Sequence, residues 1–74
     1  MYLNNISKNV SEIKNSKGTI LFSYNTPVAV ITQDGNVLRT DRKYSKTTSK
    51  HINQWLGSLD AKEVTQEDIN KYVD

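Results

Sequence analysis

Apolar and polar positions alternate along residues 19–40 in short segments that are typical of β-strands. One strand is predicted over Thr19–Tyr24, and Asn25-Thr26-Pro27 is expected to interrupt it because proline cannot donate a ladder hydrogen bond. A second, β-branched strand is predicted over Val28–Thr32. Asp34-Gly35 is a strong hairpin signal, so Asn36–Thr40 is expected to return antiparallel.

Residues 1–18 are compatible with two interpretations. Four apolar residues recur at heptad-like spacing, as in a short helix: Leu3, Ile6, Val10 and Ile13. Val10–Lys14 is also compatible with a strand that turns through Asn15-Ser16-Lys17-Gly18 into the next one. The strand is favoured, because the segment is rich in Asn and Ser and an isolated helix of this length is marginal.

After the strands, the period of the apolar positions changes from two to 3.6 residues. Four apolar residues fall on one helical face: Ile52, Trp55, Leu56 and Leu59. This spacing predicts a helix over about residues 47–56, with Trp55 as its main core residue. Thr47 or Thr48 is expected to cap the start of the helix, and Gly57 is expected to end it.

A second helix is predicted over about residues 65–73. Thr65 and Asp68 approximate a capping box, and Val64 and Ile69 are spaced as a hydrophobic staple. Three residues are expected to pack this helix onto the sheet: Ile69, Tyr72 and Val73. The pattern predicts a single α+β domain over residues 1–74, in which an antiparallel three- or four-stranded meander (about residues 9–40) precedes two packed C-terminal helices.

Size and composition narrow the class of protein. Seventy-four residues bury only a modest core, and the chain has no cysteine for a disulfide or a thiolate metal site. No apolar run approaches the roughly 20 residues that cross a bilayer, and the polar N-terminus does not resemble a signal peptide. A soluble, cytoplasmic protein without a metal, a cofactor or a membrane partner is expected.

The net charge of +2 is distributed unevenly along the chain. Residues 39–51 carry five Arg or Lys side chains against Asp41, which gives a local charge of +4. Residues 52–74 carry two Lys side chains against five carboxylates, which gives −3. This distribution predicts a polarised surface rather than a nonspecific polycation.

The basic segment directly precedes the first predicted helix, whose start is expected near Thr48. Free N–H groups at a helix start attract anions, and proteins contact nucleic-acid phosphates through Arg, Lys and hydroxyl side chains. The candidate anion- or nucleic-acid-binding residues are Arg39, Arg42, Lys43, Tyr44, Lys46, Thr47, Thr48, Ser49, Lys50 and His51. Tyr44 would stack on a base or cover the edge of the core. The alternative interpretation is that the threonines only cap the helix and that the lysines form a solvated face.

The same residues do not form a recognisable catalytic site. The chain has no glycine-rich phosphate loop, no paired carboxylate with an obvious partner and no activated Ser or Cys arrangement, so a non-enzymatic protein is expected. His51 is the only histidine and is expected to stack on Trp55 or to cap a sheet edge. The cluster 23–27 is most simply a turn, although Tyr24 and Asn25 would enlarge the site if the meander returned to the helix start.

Three groups of residues carry a resemblance to a known kind of protein: Ser23-Tyr24-Asn25-Thr26-Pro27-Val28-Ala29, then Tyr44-Ser45, then Thr47-Thr48-Ser49-Lys50-His51-Ile52-Asn53 with Trp55-Leu56. Over roughly half of its length, the chain resembles a family of small, largely uncharacterised proteins that bacteriophages and other mobile elements encode. The resemblance implies no catalytic role and no cofactor. It implies an accessory protein that acts by binding.

Three hypotheses of function follow. The leading one is salt-sensitive binding of nucleic acid by the basic segment. The runner-up is a protein-directed inhibitor of a host or defence protein, with the acidic residues 66–74 facing a basic groove. The third is a nucleotide-binding sponge, for which a monomer of this size has little room unless a homodimer supplies the pocket.

Overall fold

A computed structural model describes the backbone of residues 2–7 and both backbone and side chains of residues 9–73. Six strands form one sheet, and two helices pack on it. The strands are β1 (Tyr2–Ser7), β2 (Val10–Asn15), β3 (Gly18–Ser23), β4 (Thr26–Thr32), β5 (Val37–Thr40) and β6 (Lys62–Val64). The helices are α1 (Lys46–Leu56) and α2 (Gln66–Asn70).

The sheet follows the chain in the order β1-β2-β3-β4-β5-β6. The first five strands are antiparallel neighbours, whereas β6 pairs parallel to β5 because α1 carries the chain back across the sheet between them. The α+β class is therefore confirmed. The meander has five strands rather than three or four, and a sixth short strand separates the two helices.

The N-terminal segment forms strands, so the helical interpretation of residues 1–18 is wrong. Val10–Asn15 pairs with β3, and the turn between them ends at Gly18. A Cβ atom at Gly18 would lie 2.3 Å from the carbonyl oxygen of Ile31, and its φ of +143° favours glycine. Lys8 and Asp74, which contribute to the charge count, lie outside the described residues.

The turn between β3 and β4 differs from the expected interruption. Tyr24 and Asn25 both have positive φ, 51° and 68°, and form a two-residue hairpin turn, so β4 already begins at Thr26. Pro27 is accommodated inside β4 because the register shifts there: Leu21 pairs with Ala29, whereas the next residue of β3 pairs with Pro27.

Two hydrophobic cores lie on opposite faces of the sheet. The core under α1 contains Val10, Leu21, Val28, Ala29, Ile52 and Leu56. The core under α2 contains Ile20, Val30 and Ile69, with Phe22, Leu38, Val64, Tyr72 and Val73 packed against it. The adjacent residues Ile20 and Leu21 are both completely buried, one in each core. Each helix therefore packs on its own face. Ile69 of α2 packs on the sheet as expected, and Tyr72 and Val73 pack there as well, although they follow the end of α2.

The helix ends agree only in part with the sequence patterns, and α2 ends at Asn70 rather than near residue 73. Gly57 ends α1, and the Thr65 side chain caps α2 by accepting the backbone N–H of Asp68. Leu59 lies beyond the end of α1 and is 50% exposed, so its expected place on the apolar face of this helix is wrong. Trp55 is only partly buried rather than the main core residue.

Replacing Leu21 by Ala should lower the free energy of unfolding by about 2–5 kcal/mol, because it leaves a cavity in the core under α1. Ile20→Ala should have a comparable effect through the core under α2. Urea denaturation followed by circular dichroism measures both losses.

Leu59→Ala is the matched control for Leu21→Ala. It should change the free energy of unfolding by less than about 0.5 kcal/mol, because half of that side chain is already exposed. Equal losses for Leu59 and Leu21 would contradict the placement of Leu59 outside the core.

Candidate functional site

The loop between β5 and α1 ends at a hydroxyl that caps the helix. Ser45 has extended backbone angles, and its Oγ accepts the backbone N–H of Thr48 at 3.1 Å. The helix therefore begins at Lys46, earlier than expected, and the expectation that Thr47 or Thr48 is the cap is wrong. Its first turn contains no acidic residue, so the positive end of the helix dipole is not neutralised there.

Thr48 faces the sheet rather than solvent. It is only 5% exposed, and its Oγ1 lies 3.2 Å from the Oγ of Ser23 and 3.3 Å from the Oγ of Ser45. The hydroxyl is thus already hydrogen-bonded inside the protein. This contact removes Thr48 from the candidate anion ligands.

His51 belongs to the same buried polar cluster. Its Nδ1 lies 2.9 Å from the Oγ of Ser23, and its ring centroid is 5.8 Å from that of Tyr24. The ring partner of His51 is therefore Tyr24, whereas the indole N–H of Trp55 points to Glu12 at 3.4 Å. The β3–β4 turn therefore lies beside the first half of α1. This is the arrangement under which Tyr24 and Asn25 were expected to lie near the site.

The opposite face of α1 forms the floor of an open groove of about 700 Å³. Four of its helical residues are spaced three or four apart and therefore share one side of the helix: Lys46, Ser49, Lys50 and Asn53. Gln54 extends this side, and the preceding loop supplies Lys43, Tyr44 and Ser45. We call this surface the lysine groove. Among side chains 9–73, three lysines and no carboxylate line it.

The lysines of the groove have no ion-pair partner among side chains 9–73. The ion pair that the structure shows within this range joins Lys71 to Asp68, near α2. Lys43, Lys46 and Lys50 are all exposed, so their charges are directed to solvent and to any ligand in the groove. Unpaired cations on a concave surface attract anions more strongly than cations that are already neutralised.

The two arginines of the basic segment occupy different places. Arg39 extends from β5 towards α1, where its Nη1 donates to the Oδ1 of Asn53 at 3.2 Å. Its Nε is buried and has no hydrogen-bond partner within the described part of the chain. Arg42 is exposed, and its guanidinium carbon lies 6.0 Å from the ring centroid of Tyr44. Neither arginine lines the groove directly.

Tyr44 lines the groove and is 40% exposed. Its hydroxyl donates to the Oε1 of Gln66 at 2.8 Å. The Nε2 of Gln66 donates in turn to the carbonyl oxygen of Pro27 at 2.7 Å and to the Oδ1 of Asn70 at 3.0 Å. The hydroxyl of Tyr44 is therefore anchored to the start of α2.

The two remaining candidate residues of α1, Ser49 and Thr47, occupy different positions relative to the groove. Ser49 lines the groove, whereas Thr47 is exposed and lies outside the groove lining. The acidic residues Glu67 and Asp68 belong to α2, on the other face of the sheet.

Sequence reasoning did not find the role of Ser23. The Ser23 hydroxyl is 2% exposed and joins residues that are 25 and 28 positions away. An isolated serine at the end of a predicted strand carries no signal for such a contact. The described residues include no group of three or more His, Asp or Glu side chains that could hold a metal ion.

Comparison with known families identifies the chain. Residues 1–71 match the family of unknown function DUF8033, and the chain belongs to this family. No curated protein and no solved structure matches it significantly. Within the described residues, neither helix is long and apolar enough to span a bilayer.

Ser45→Ala should lower the free energy of unfolding by about 0.5–2 kcal/mol, because it leaves the backbone N–H of Thr48 without its cap. Thermal or urea denaturation measures the loss. Thr47→Ala is the matched control and should change the stability by less than about 0.5 kcal/mol, since Thr47 is exposed. A larger loss for Thr47 than for Ser45 would contradict the assignment of the cap.

Proposed function

We propose that this DUF8033 domain is a non-enzymatic protein that binds nucleic acid through the lysine groove. The observation that carries the proposal is the group of three lysines in one groove, where the side chains of residues 9–73 provide neither an ion-pair partner nor a carboxylate in the lining. Electrostatic attraction to phosphates supplies most of the affinity of nonspecific nucleic-acid binding. The backbone of a nucleic-acid strand carries a regular series of phosphates, and several neighbouring lysines can bind several of these phosphates at once.

Both faces of the sheet are covered by helices, and this supports a binding surface on the outer side of α1 rather than on the sheet. Many single-strand binders spread bases over an open sheet, but here α1 covers one face and α2 covers the other. The outer side of α1 and the loop before it therefore offer the basic surface that is left. The hydroxyl of Ser49 and the amides of Asn53 and Gln54 add hydrogen-bonding groups to it.

The buried polar cluster supports a binding role rather than catalysis. A serine hydroxyl beside a histidine is the pair that activates a nucleophile in many hydrolases. Here Ser23 is 2% exposed and shares its hydroxyl with Thr48 as well as His51. A substrate would not reach that oxygen, so the pair serves to dock α1 on the sheet.

The proposed setting is the cytoplasm of a host cell, as an accessory protein of a phage or another mobile element. The resemblance of residues 23–29 and 44–56 to such proteins supports this setting. Inhibition of a host or defence protein is the second candidate, and the acidic surface of α2 on the opposite face supports a protein partner there.

Replacing Lys46 and Lys50 together by Gln should weaken binding of DNA or RNA and flatten its salt dependence. The slope of log K against log salt should fall by about 0.7–0.9 for each phosphate contact that is lost. Fluorescence anisotropy of labelled oligonucleotides, titrated at several salt concentrations, measures both quantities.

The matched control is the double variant Lys14→Gln and Lys62→Gln, which removes the same net charge from two exposed lysines outside the lysine groove. It should leave the slope nearly unchanged. If both double variants reduce the slope equally, net charge rather than the groove governs binding. Absence of binding at low salt would reject the proposed function and direct the search to a protein partner.

A further inference from the structure

The anchored ring of Tyr44 indicates which form of nucleic acid fits the lysine groove. A loop tyrosine that merely covers the edge of a core would bury its ring there. Tyr44 is instead 40% exposed as a residue and lines the groove, while its hydroxyl donates to Gln66 at 2.8 Å. The ring is thus held in place while it remains accessible.

Gln66 makes this anchor rigid. It is the first residue of α2, and its side-chain N–H groups are fixed by the carbonyl oxygen of Pro27 and by Asn70. The Tyr44 ring is therefore connected to a strand in the middle of the sheet as well as to the loop that carries it. A platform that is already ordered loses little conformational entropy when a ligand stacks on it.

The position of Arg42 is compatible with a flat ligand on this platform. Its guanidinium carbon lies over the Tyr44 ring, 6.0 Å from the centroid. Arg42 is exposed, and bases stack on aromatic rings and on guanidinium groups, so a base on this platform would contact both side chains.

These contacts distinguish a single strand from a duplex. The lysines would attract the phosphates of either form, but the bases of a duplex are paired and stacked on each other, so the Tyr44 ring finds no free base face. We propose that the lysine groove is selective for single-stranded nucleic acid, with one base stacked on Tyr44 and with Lys46 and Lys50 on the neighbouring phosphates. This inference rests on the proposed function.

The test compares three labelled probes of equal length with the full chain at one low salt concentration: a single strand, the same strand with abasic sites, and a duplex. Anisotropy should show the tightest binding for the normal single strand. Tyr44→Leu should weaken that binding by roughly 5- to 150-fold, the value expected for one base–aromatic stack, and should leave duplex binding unchanged. Tyr44→Trp, which keeps an aromatic platform, should retain single-strand binding within about threefold.

Far-UV circular dichroism and the melting temperature of Tyr44→Leu show whether the variant is folded, independently of its binding. If the abasic strand binds as tightly as the normal one, or if Tyr44→Leu weakens neither form, the inference is wrong and the proposed function stands. If none of the three probes binds, both are wrong. The same titrations with a DNA strand and with an RNA strand of equal sequence show which of the two is preferred. Stacking is common to both, whereas a contact with the 2′-hydroxyl would favour RNA.

Discussion

The packing of this small domain depends on the complete burial of both faces of its central strand. Ile20 and Leu21 are neighbours in β3, and each is fully buried in a different core. Because successive side chains of a strand point to opposite faces, one helix cannot cover both. Two helices cover the two faces, and the apolar side of each helix packs against the sheet. What remains outward on α1 is polar, and that outward side contains Lys46 and Lys50.

The Ser23 hydroxyl fixes where α1 lies on its face of the sheet. Apolar packing is non-directional, so Ile52 and Leu56 alone would tolerate small rotations of the helix. The contacts of Ser23 with Thr48 and His51 are directional, and a buried hydroxyl that lost them would cost about 1–3 kcal/mol. These contacts therefore determine which residues of α1 face away from the sheet, and so they position the lysine groove indirectly.

The sequence predicted those turns and helix ends that depend on the backbone angles of one or two residues. The hairpin at Asp34-Gly35 and the end of α1 at Gly57 need special backbone angles, and both could be read directly. The cap of α1 could not, because Ser45, Thr47 and Thr48 all carry suitable hydroxyls and the choice depends on contact with a distant strand. Likewise β6 has three residues and no periodicity, so only its pairing with β5 defines it.

In the candidate site, too, the sequence predicted which residues are basic, whereas tertiary contacts determine where each of them lies. The sequence predicted a basic segment before a helix, and the structure separates that segment into different roles. Arg39 extends from β5 and donates to Asn53, whereas Lys46 and Lys50 lie one helical turn apart in the lining of the groove. The earlier start of the helix includes Lys46 in its first turn, which brings the two lysines onto one face. The local charge of the segment therefore overstates the charge in the groove, and the position of Ser45 decides which cations act together.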